Sequence, residues 1–410
     1  MKILYICEEY PPGKNGGIGT MVRVLGREMV RQGHTVYVIG LYIHGFGGAD
    51  YEEDEGVKVW RLRYGTDAGW MRDEGSRLQK ILLKALKFSM ILQLDTLFSV
   101  GRLFRRISRM VREEGIDVIE MPDWNTFFQN SFLRINIPSF GAPLLVKFHG
   151  TDSYFRHELG RSVNPHVFAL ESALLRRADA LASVSRYTAA RTAALFALTR
   201  PIEILYNSIK LPQLRDRASV DPRKVIFTGS LLYKKGIYSL MEAWNIVALE
   251  HPDAALHIYG KGDADGLKKL LDPRTVKSVF FHGHVSREVL FGELATAAAA
   301  VFPSYSECFA LAPMEAMAVG CAVVNSTRSS GPELVTDRVD GLLADPDRPE
   351  QIAAAIGVLL TDPVFRDSIA AAGKATVESK FNIQQSVPQH IAFYNKMIND
   401  FANTNPLNKT

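Results

Sequence analysis

Phe302-Pro303-Ser304-Tyr305-Ser306-Glu307-Cys308-Phe309-Ala310-Leu311-Ala312-Pro313-Met314-Glu315-Ala316-Met317-Ala318 changes character twice within one short stretch. An apolar run, Ala299–Phe302, stops at Pro303, and a loop of small residues follows. A helix-favouring run then begins near Pro313, and proline suits the first turn of a helix because its missing N–H has no partner there. Strand, short loop and helix in that order make one unit of a parallel α/β sheet.

The same alternation continues outward in both directions. Runs that read as strands occur at Ile3–Cys7, Thr35–Leu41, Val57–Leu62, Asp117–Glu120, Leu144–Phe148 and Ala180–Val184 in the first half. In the second half they occur at Lys224–Thr228, Ala255–Tyr259, Ser278–His282, Ala299–Phe302 and Ala322–Asn325. Runs that are apolar on both faces, separated by helical patterns, predict doubly wound parallel sheets with helices on either side. Asn207–Arg223 interrupts the rhythm with Pro212, Pro222 and mixed charges, as a linker between two domains does. The sequence therefore predicts an N-terminal Rossmann-like domain over 1–206, a C-terminal Rossmann-like domain over 207–380, and a last helix with a polar tail over 381–410.

Composition fits that reading. A chain of 410 residues is long enough for two domains, and a hydrophobic fraction of 47% supplies each with a core. The net charge of +4 is too small to indicate nucleic acid as a partner. Residues 1–206 hold 27 basic and 22 acidic side chains, a balance of +5, which leaves −1 for the rest. Three cysteines, Cys7, Cys308 and Cys321, are too few and too scattered for a disulfide framework or a metal site, so a reducing, cytoplasmic setting is expected. The apolar run Ile3–Cys7 is too short for a signal peptide, and no run reaches the roughly 20 apolar residues of a membrane span. A soluble or peripheral protein is expected.

Three loops carry candidate chemistry. Glu8–Thr20 contains Gly13, Gly16, Gly17 and Gly19 between the first strand and its helix, where backbone can approach a phosphate beside an electropositive helix end. The plainer reading is a tight turn. A dinucleotide fingerprint is absent: the third glycine is missing, and no acid closes the second strand. In the second half, Gly229-Ser230-Leu231-Leu232-Tyr233-Lys234-Lys235-Gly236 places lysines before a helix, where one would neutralise a diphosphate, although lysines are usually just solvated. In the opening stretch Glu307 and Glu315 straddle the loop, and backbone N–H groups of Phe309, Ala310 and Leu311 stand at a helix start. Carboxylates there would accept from sugar hydroxyls; otherwise they are two surface acids.

The strand-Pro-Ser-x-x-Glu-x-Phe-x-Leu-x-Pro-x-Glu-Ala-Met-Ala-x-Gly pattern resembles the E-x7-E signature of the family GT4 (group 1) retaining glycosyltransferases. The resemblance covers nearly the whole chain. Gly16–Gly19 is similar to that family's first glycine loop. Phe148-His149-Gly150-Thr151-Asp152, Ser183-Val184-Ser185-Arg186-Tyr187-Thr188 and Tyr206-Asn207 match further elements in family order. So do Tyr259–Asp263, His282-Gly283-His284-Val285, Ser330–Glu333 and Asp340–Leu343. It implies the GT-B architecture: two Rossmann-like domains facing a central cleft, with a C-terminal helix crossing back to the first. It assigns Lys235 to the donor diphosphate, Glu315 to the ribose, Glu307 to the sugar hydroxyls and His149 to the sugar or the transition state. His149, Lys235 and Glu307 are thus the implied catalytic residues. Gly16, Gly17, Ser230, Lys235, Val285, Glu307, Phe309, Ala310, Leu311 and Glu315 are the implied donor contacts.

The resemblance implies no metal and no cofactor; the nucleotide-diphosphate sugar is a substrate, with a UDP-sugar favoured. The acceptor would be a glycan, a polysaccharide or a lipid-linked intermediate. Alternatives on the same fold are a sugar-nucleotide epimerase or hydrolase, and a non-catalytic protein that binds a membrane partner. Two positions depart from the family. Ser230 stands where an arginine usually clamps the diphosphate, leaving Lys234 as the nearest substitute, and Ala310 replaces a glycine. Asp263-Ala264-Asp265 superficially resembles a metal-binding D-x-D, but an aspartate before a short helix more simply caps it. His34, His44, His251 and His390 read as surface or turn residues.

Ser76–Arg112 holds nine basic residues and one acid, Asp95. Arg77, Lys80, Lys84 and Lys87 form one helical stripe; Arg102, Arg105, Arg106 and Arg109 form another. Apolar residues between them, among them Phe88, Leu97, Phe98 and Phe104, complete the pattern of a basic amphipathic insertion. Such a segment lies on an anionic membrane surface or covers a core with a solvated face. The first is favoured here, which predicts a peripheral protein on the inner membrane face.

Overall fold

The computed structural model describes residues 1–12, 16–42, 48–65, 90–212 and 219–404. They form two compact units. One comprises Met1–Val184, Thr188–Leu205 and Val387–Thr410; the other comprises Ser185–Tyr187 and Tyr206–Ser386. The C-terminal helix, Ile383–Thr404, thus begins with the second unit and belongs from Val387 onward with the first.

The first unit is built on an eight-stranded sheet. Its strands are β1 (Lys2–Ile6), β2 (Thr35–Tyr42), β3 (Tyr51–Asp54), β4 (Val57–Arg63), β5 (Val118–Pro122), β6 (Leu144–Phe148), β7 (Ala180–Ser183) and β8 (Ile202–Ile204). Their order is β3-β4-β2-β1-β5-β6-β7-β8, and only the β3–β4 pair is antiparallel. The central strands are buried along their whole length, which is why they read as continuous apolar runs. The helix Gly17–Arg31 lays Met21, Val22, Leu25 and Met29 on the sheet, at helical spacing.

β3 escaped the sequence pattern because it is charged. Tyr51-Glu52-Glu53-Asp54 is held at the sheet edge by ion pairs: Asp54 takes Arg27 and Arg23, and Glu52 takes the buried Arg61 at 2.6 Å. β8 is a three-residue edge strand, too short to show a period.

The second unit carries a six-stranded, all-parallel sheet. Its strands are β9 (Asp221–Thr228), β10 (Ala255–Tyr259), β11 (Val279–Gly283), β12 (Ala297–Phe302), β13 (Val323–Ser326) and β14 (Leu342–Ala344), in the order β11-β10-β9-β12-β13-β14. The helix Ile237–Glu250 buries Leu240, Met241, Trp244 and Val247 against it. Trp244 is fully enclosed and its indole N–H donates to Ser278 Oγ at 2.9 Å, so truncation to alanine would cost about 3–5 kcal/mol. β9 starts at Asp221, so Pro222 is the second residue of a strand and not part of the linker. Proline is tolerated there because ladder bonding to the neighbouring strand is irregular at that end.

Two expectations are corrected in the first unit. His390 is not a surface residue: it is 1% exposed, and its Nε2 lies 2.9 Å from Lys147 Nζ. Lys147 is buried too, 4.0 Å from Glu120, which accepts from the Tyr394 hydroxyl. Tyr394 in turn meets the Tyr5 hydroxyl at 3.1 Å. A buried polar chain therefore fastens the C-terminal helix to β1, β5 and β6. Burial lowers the Lys147 pKa while Glu120 supports its charge.

The basic insertion also differs from expectation. Residues 76–89 lie outside the described residues; of the remainder, Met90–Met110 is a helix, and Val111 and Arg112 open the π-helical turn Val111–Gly115. Leu103, Phe104 and Ile107 are buried in the first core, with Phe104 edge-on to Phe127 and Phe140, so Phe104 is not available to a membrane. Arg102, Arg105, Arg109 and Arg112 are exposed, as are Met90, Leu94 and Phe98. Among the described residues no helix is long and apolar enough to cross a membrane.

Candidate active site

In the second unit the loops that follow β9, β12 and β13 converge. The strand carboxyl ends of an open α/β sheet are where backbone N–H groups and side chains are free to meet a ligand. A pocket there is lined by Lys235, Ser304, Glu307, Ala310, Arg328 and Ser330, with Thr228 and Asn325 at the strand ends.

Lys235 and Glu307 form an ion pair within it, and Ser304 Oγ donates to the same carboxylate oxygen at 3.2 Å. Chain geometry sets this pair. Gly236, next to the lysine, has φ of +69°, and a Cβ there would stand 1.7 Å from the Pro303 carbonyl oxygen. Only glycine lets the Lys235 turn press against the end of β12. From the other side, the Lys234 carbonyl accepts the N–H of Tyr305 at 2.9 Å and of Ser306 at 3.4 Å. The lysine turn and the glutamate loop are thus stitched by backbone.

The loop ends at the helix Leu311–Ala318. Ala310 is its N-cap with φ of −74°, an ordinary value, so alanine meets no strain in the place of glycine. Phe309 does not face the pocket: it is buried against Tyr206 and Phe381, and its carbonyl accepts from Asn207 Nδ2 at 2.9 Å. Glu315, one turn into the helix, pairs with Arg287 at 2.7 Å. Burial raises the Glu315 pKa and the Arg287 guanidinium opposes that rise. The Arg287 guanidinium also lies over the Phe291 ring at 5.1 Å.

Ser230, Lys234, Val285, Leu311 and Glu315 are outside the lining of this pocket, while Lys235 and Arg328 are its cationic lining residues. Arg328 is held by Asp345 at 3.0 Å and Asp347 at 2.6 Å. Asp263 Oδ1 accepts from Gly266 N–H at 2.9 Å as the cap of the helix Ala264–Lys268. Glu333 accepts from the N–H groups of Arg186 and Tyr187 at 2.8 and 2.6 Å and from the Tyr206 hydroxyl at 3.0 Å, all within the second unit.

In the first unit, Gly16, Gly17 and His149 lie at the carboxyl ends of β1 and β6. A Cβ on Gly16 would fall 2.0 Å from Glu9 Oε2 and one on Gly19 1.9 Å from the Glu9 carbonyl, so close local packing explains both glycines. Gly17 faces open space, with nothing within 4 Å of its would-be Cβ. The half-buried His149 is fixed through its backbone: its N–H donates to Asp123 Oδ1 at 2.7 Å, and Gly150 N–H to Oδ2 at 3.2 Å. Burial and then Lys147 push the His149 pKa well down, so the ring is neutral near pH 7. Burial lifts Asp123 to about 8 against those two bonds. Glu8 is lifted to about 7 by burial while it accepts from Thr126 N–H at 2.9 Å. Asp123 was missed in the sequence, though a polar residue directly after a buried strand was its signal. Arg287 and Arg328 left none.

The family model described as glycosyl transferases group 1 matches residues 222–362, and the glycosyl transferase 4-like domain matches residues 16–208. Together they span most of the sequence. The chain is a group 1 glycosyltransferase. An uncharacterized glycosyltransferase of Methanocaldococcus jannaschii is 26% identical to this glycosyltransferase over 96% of this chain and 98% of its own. A glycogen synthase of Mycobacterium tuberculosis is also 26% identical, over 94% and 92%. A GDP-mannose-dependent mannosyltransferase of Corynebacterium glutamicum is 27% identical over 57% and 69%. Among solved structures, sucrose-phosphate synthase from Thermosynechococcus elongatus superposes with a TM-score of 0.77 at 20% identity, covering 97% of this chain and 99% of that one. Anabaena HepE, solved with UDP and glucose, gives 0.70 at 16% identity over 97% and 100%. These likenesses place the glycosyltransferase in the GT-B fold.

Proposed function

We propose that this glycosyltransferase moves a hexose with retention of configuration from a nucleotide-diphosphate sugar to a glycan, polysaccharide or lipid-linked acceptor. The observation that carries the reading is the Lys235–Glu307 pair in a pocket at the start of the helix Leu311–Ala318. A departing diphosphate needs positive charge placed beforehand, and Lys235, helped by Arg328 and the helix N-terminus, supplies it without a metal. Glu307 then accepts from sugar hydroxyls, and Glu315 from the ribose. Neutral His149 offers a hydrogen bond to the sugar. Retention follows when the acceptor oxygen attacks on the face the diphosphate leaves.

A UDP-sugar is the favoured donor. Support comes from the fold neighbour HepE, which holds UDP; the GDP-mannose dependence named for the Corynebacterium relative makes GDP-mannose the second donor to try. The exposed arginines of the helix Met90–Met110 support a peripheral position on an anionic membrane, at the cytoplasmic face. Incubation with each nucleotide sugar, with and without glycan acceptors, tests the reading. Acceptor-dependent release of nucleoside diphosphate supports transfer, whereas turnover of the sugar nucleotide alone would make the protein an epimerase or hydrolase.

A further inference from the structure

Ser329 has φ of +54°, in the left-handed region where a side chain is disfavoured. Of the four described non-glycine residues at positive φ, it is the one whose side chain bonds to the Glu307 segment. Its Oγ accepts the Glu307 N–H at 3.3 Å and donates to the Tyr305 carbonyl at 3.2 Å. The next residue, Ser330, donates its hydroxyl to the Glu307 carbonyl at 3.4 Å. The opposite side of the same segment is the one bonded to the Lys234 carbonyl. Its tyrosine is pinned as well: the Tyr305 ring stacks on Tyr233 at 4.8 Å, and its hydroxyl donates to the Pro346 carbonyl at 3.1 Å.

Tyr305–Glu307 is therefore clamped between the lysine turn and the Ser329–Ser330 turn. Backbone strain persists only where surrounding interactions over-determine it, and it concentrates at functional sites. We propose that Ser329 is a positioning residue for sugar transfer: its strained backbone and two hydrogen bonds hold Glu307 at Lys235, where the donor sugar and diphosphate meet. The inference rests on the roles of Glu307 and Lys235 given above. Glycine at 329 would relax the backbone yet lose both bonds. Asparagine tolerates positive φ and still offers an acceptor and a donor.

Stability and kinetics should thus move in opposite directions. Ser329→Gly should keep or raise Tm while kcat falls at least tenfold, with the donor KM within about threefold of wild type. Ser329→Asn should recover most of the lost kcat. Wild-type kcat in Ser329→Gly would overturn the proposal, as would a matching loss of Tm and kcat with no recovery in Ser329→Asn. Glu307→Gln, assayed alongside, separates the two claims. Turnover lost in Glu307→Gln but kept in Ser329→Gly overturns the clamp alone. Turnover kept in both overturns the assignment of Glu307 and the clamp with it.

Discussion

Arg287 Nη2 stands 2.7 Å from Glu315 Oε1, so one oxygen of the carboxylate assigned to the ribose already has a cationic partner. Burial raises the Glu315 pKa and Arg287 holds it down. Glu315→Ala removes a charged hydrogen-bond partner, worth about 1.5–3 kcal/mol, so nucleotide Kd should rise roughly 10- to 100-fold. Arg287→Ala should weaken binding more at pH 6 than at pH 8, because the unopposed effect of burial leaves more of the carboxyl protonated at the lower pH. Calorimetry with UDP at both pH values checks this; a loss independent of pH would mean Arg287 touches the nucleotide directly.

Gly236→Ala is expected to damage stability and turnover together. The new Cβ would collide with the Pro303 carbonyl at a φ of +69°, a conformation that costs a side chain roughly 1–2 kcal/mol before the clash is counted. Relief requires moving the Lys235 turn away from Glu307. A lowered Tm with kcat down at least tenfold is the expected result, read by thermal unfolding and by donor turnover.

Asp123 gives the first unit a pH signature. The unfolded chain releases this proton near the ordinary value of 3.8, whereas the folded chain keeps it to about 8 because the carboxyl is buried. Folded-state stability from this group is therefore complete at low pH, falls as pH rises between those values, and levels off above about 8. Asp123→Asn should flatten that slope. Urea unfolding at pH 5, 6.5 and 8 measures it, and an equally steep slope in the variant would contradict the assignment.

The proposed membrane contact rests on charge and on fewer apolar residues than the sequence offers. Leu103, Phe104 and Ile107 serve the core, leaving Arg105, Arg109 and Phe98, which is 68% exposed, on the open side of the helix Met90–Met110. Each basic residue near an anionic surface contributes about 1 kcal/mol. Wild-type protein should sediment with anionic liposomes and release as the Debye length shrinks from about 10 Å at 0.1 M salt to 3 Å at 1 M. Arg105→Glu with Arg109→Glu should reduce sedimentation several-fold. Equal binding to neutral liposomes would remove the electrostatic argument.

The central parallel strands announced themselves in the sequence because both faces are apolar, whereas β4 and the edge strand β11 are only partly buried; all eleven runs became strands. β3 did not, since its strength lies in Asp54 and Glu52 meeting arginines from other elements, which no local period records. Ala297–Ala300 shows the reverse, a helix-favouring run made into a strand by total burial. At the candidate site, the spacing of Glu307 and Glu315 and the Lys-Gly step were legible. Arg287, Arg328 and Ser329 were not, because each lies outside the Phe302–Ala318 stretch and its partner lies 17 to 28 residues away. His390 was misread for the same reason. Its burial depends on Lys147, 243 residues earlier.

The central claim, that Lys235 and Glu307 serve retaining sugar transfer, is tested most directly by product stereochemistry from a UDP-sugar in wild type, Lys235→Ala and Glu307→Gln. An α-linked product from an α-linked donor is expected, with turnover down at least a hundredfold in both variants while UDP Kd in Glu307→Gln stays within a few-fold. A β-linked product, or near-normal turnover in both variants, would contradict it.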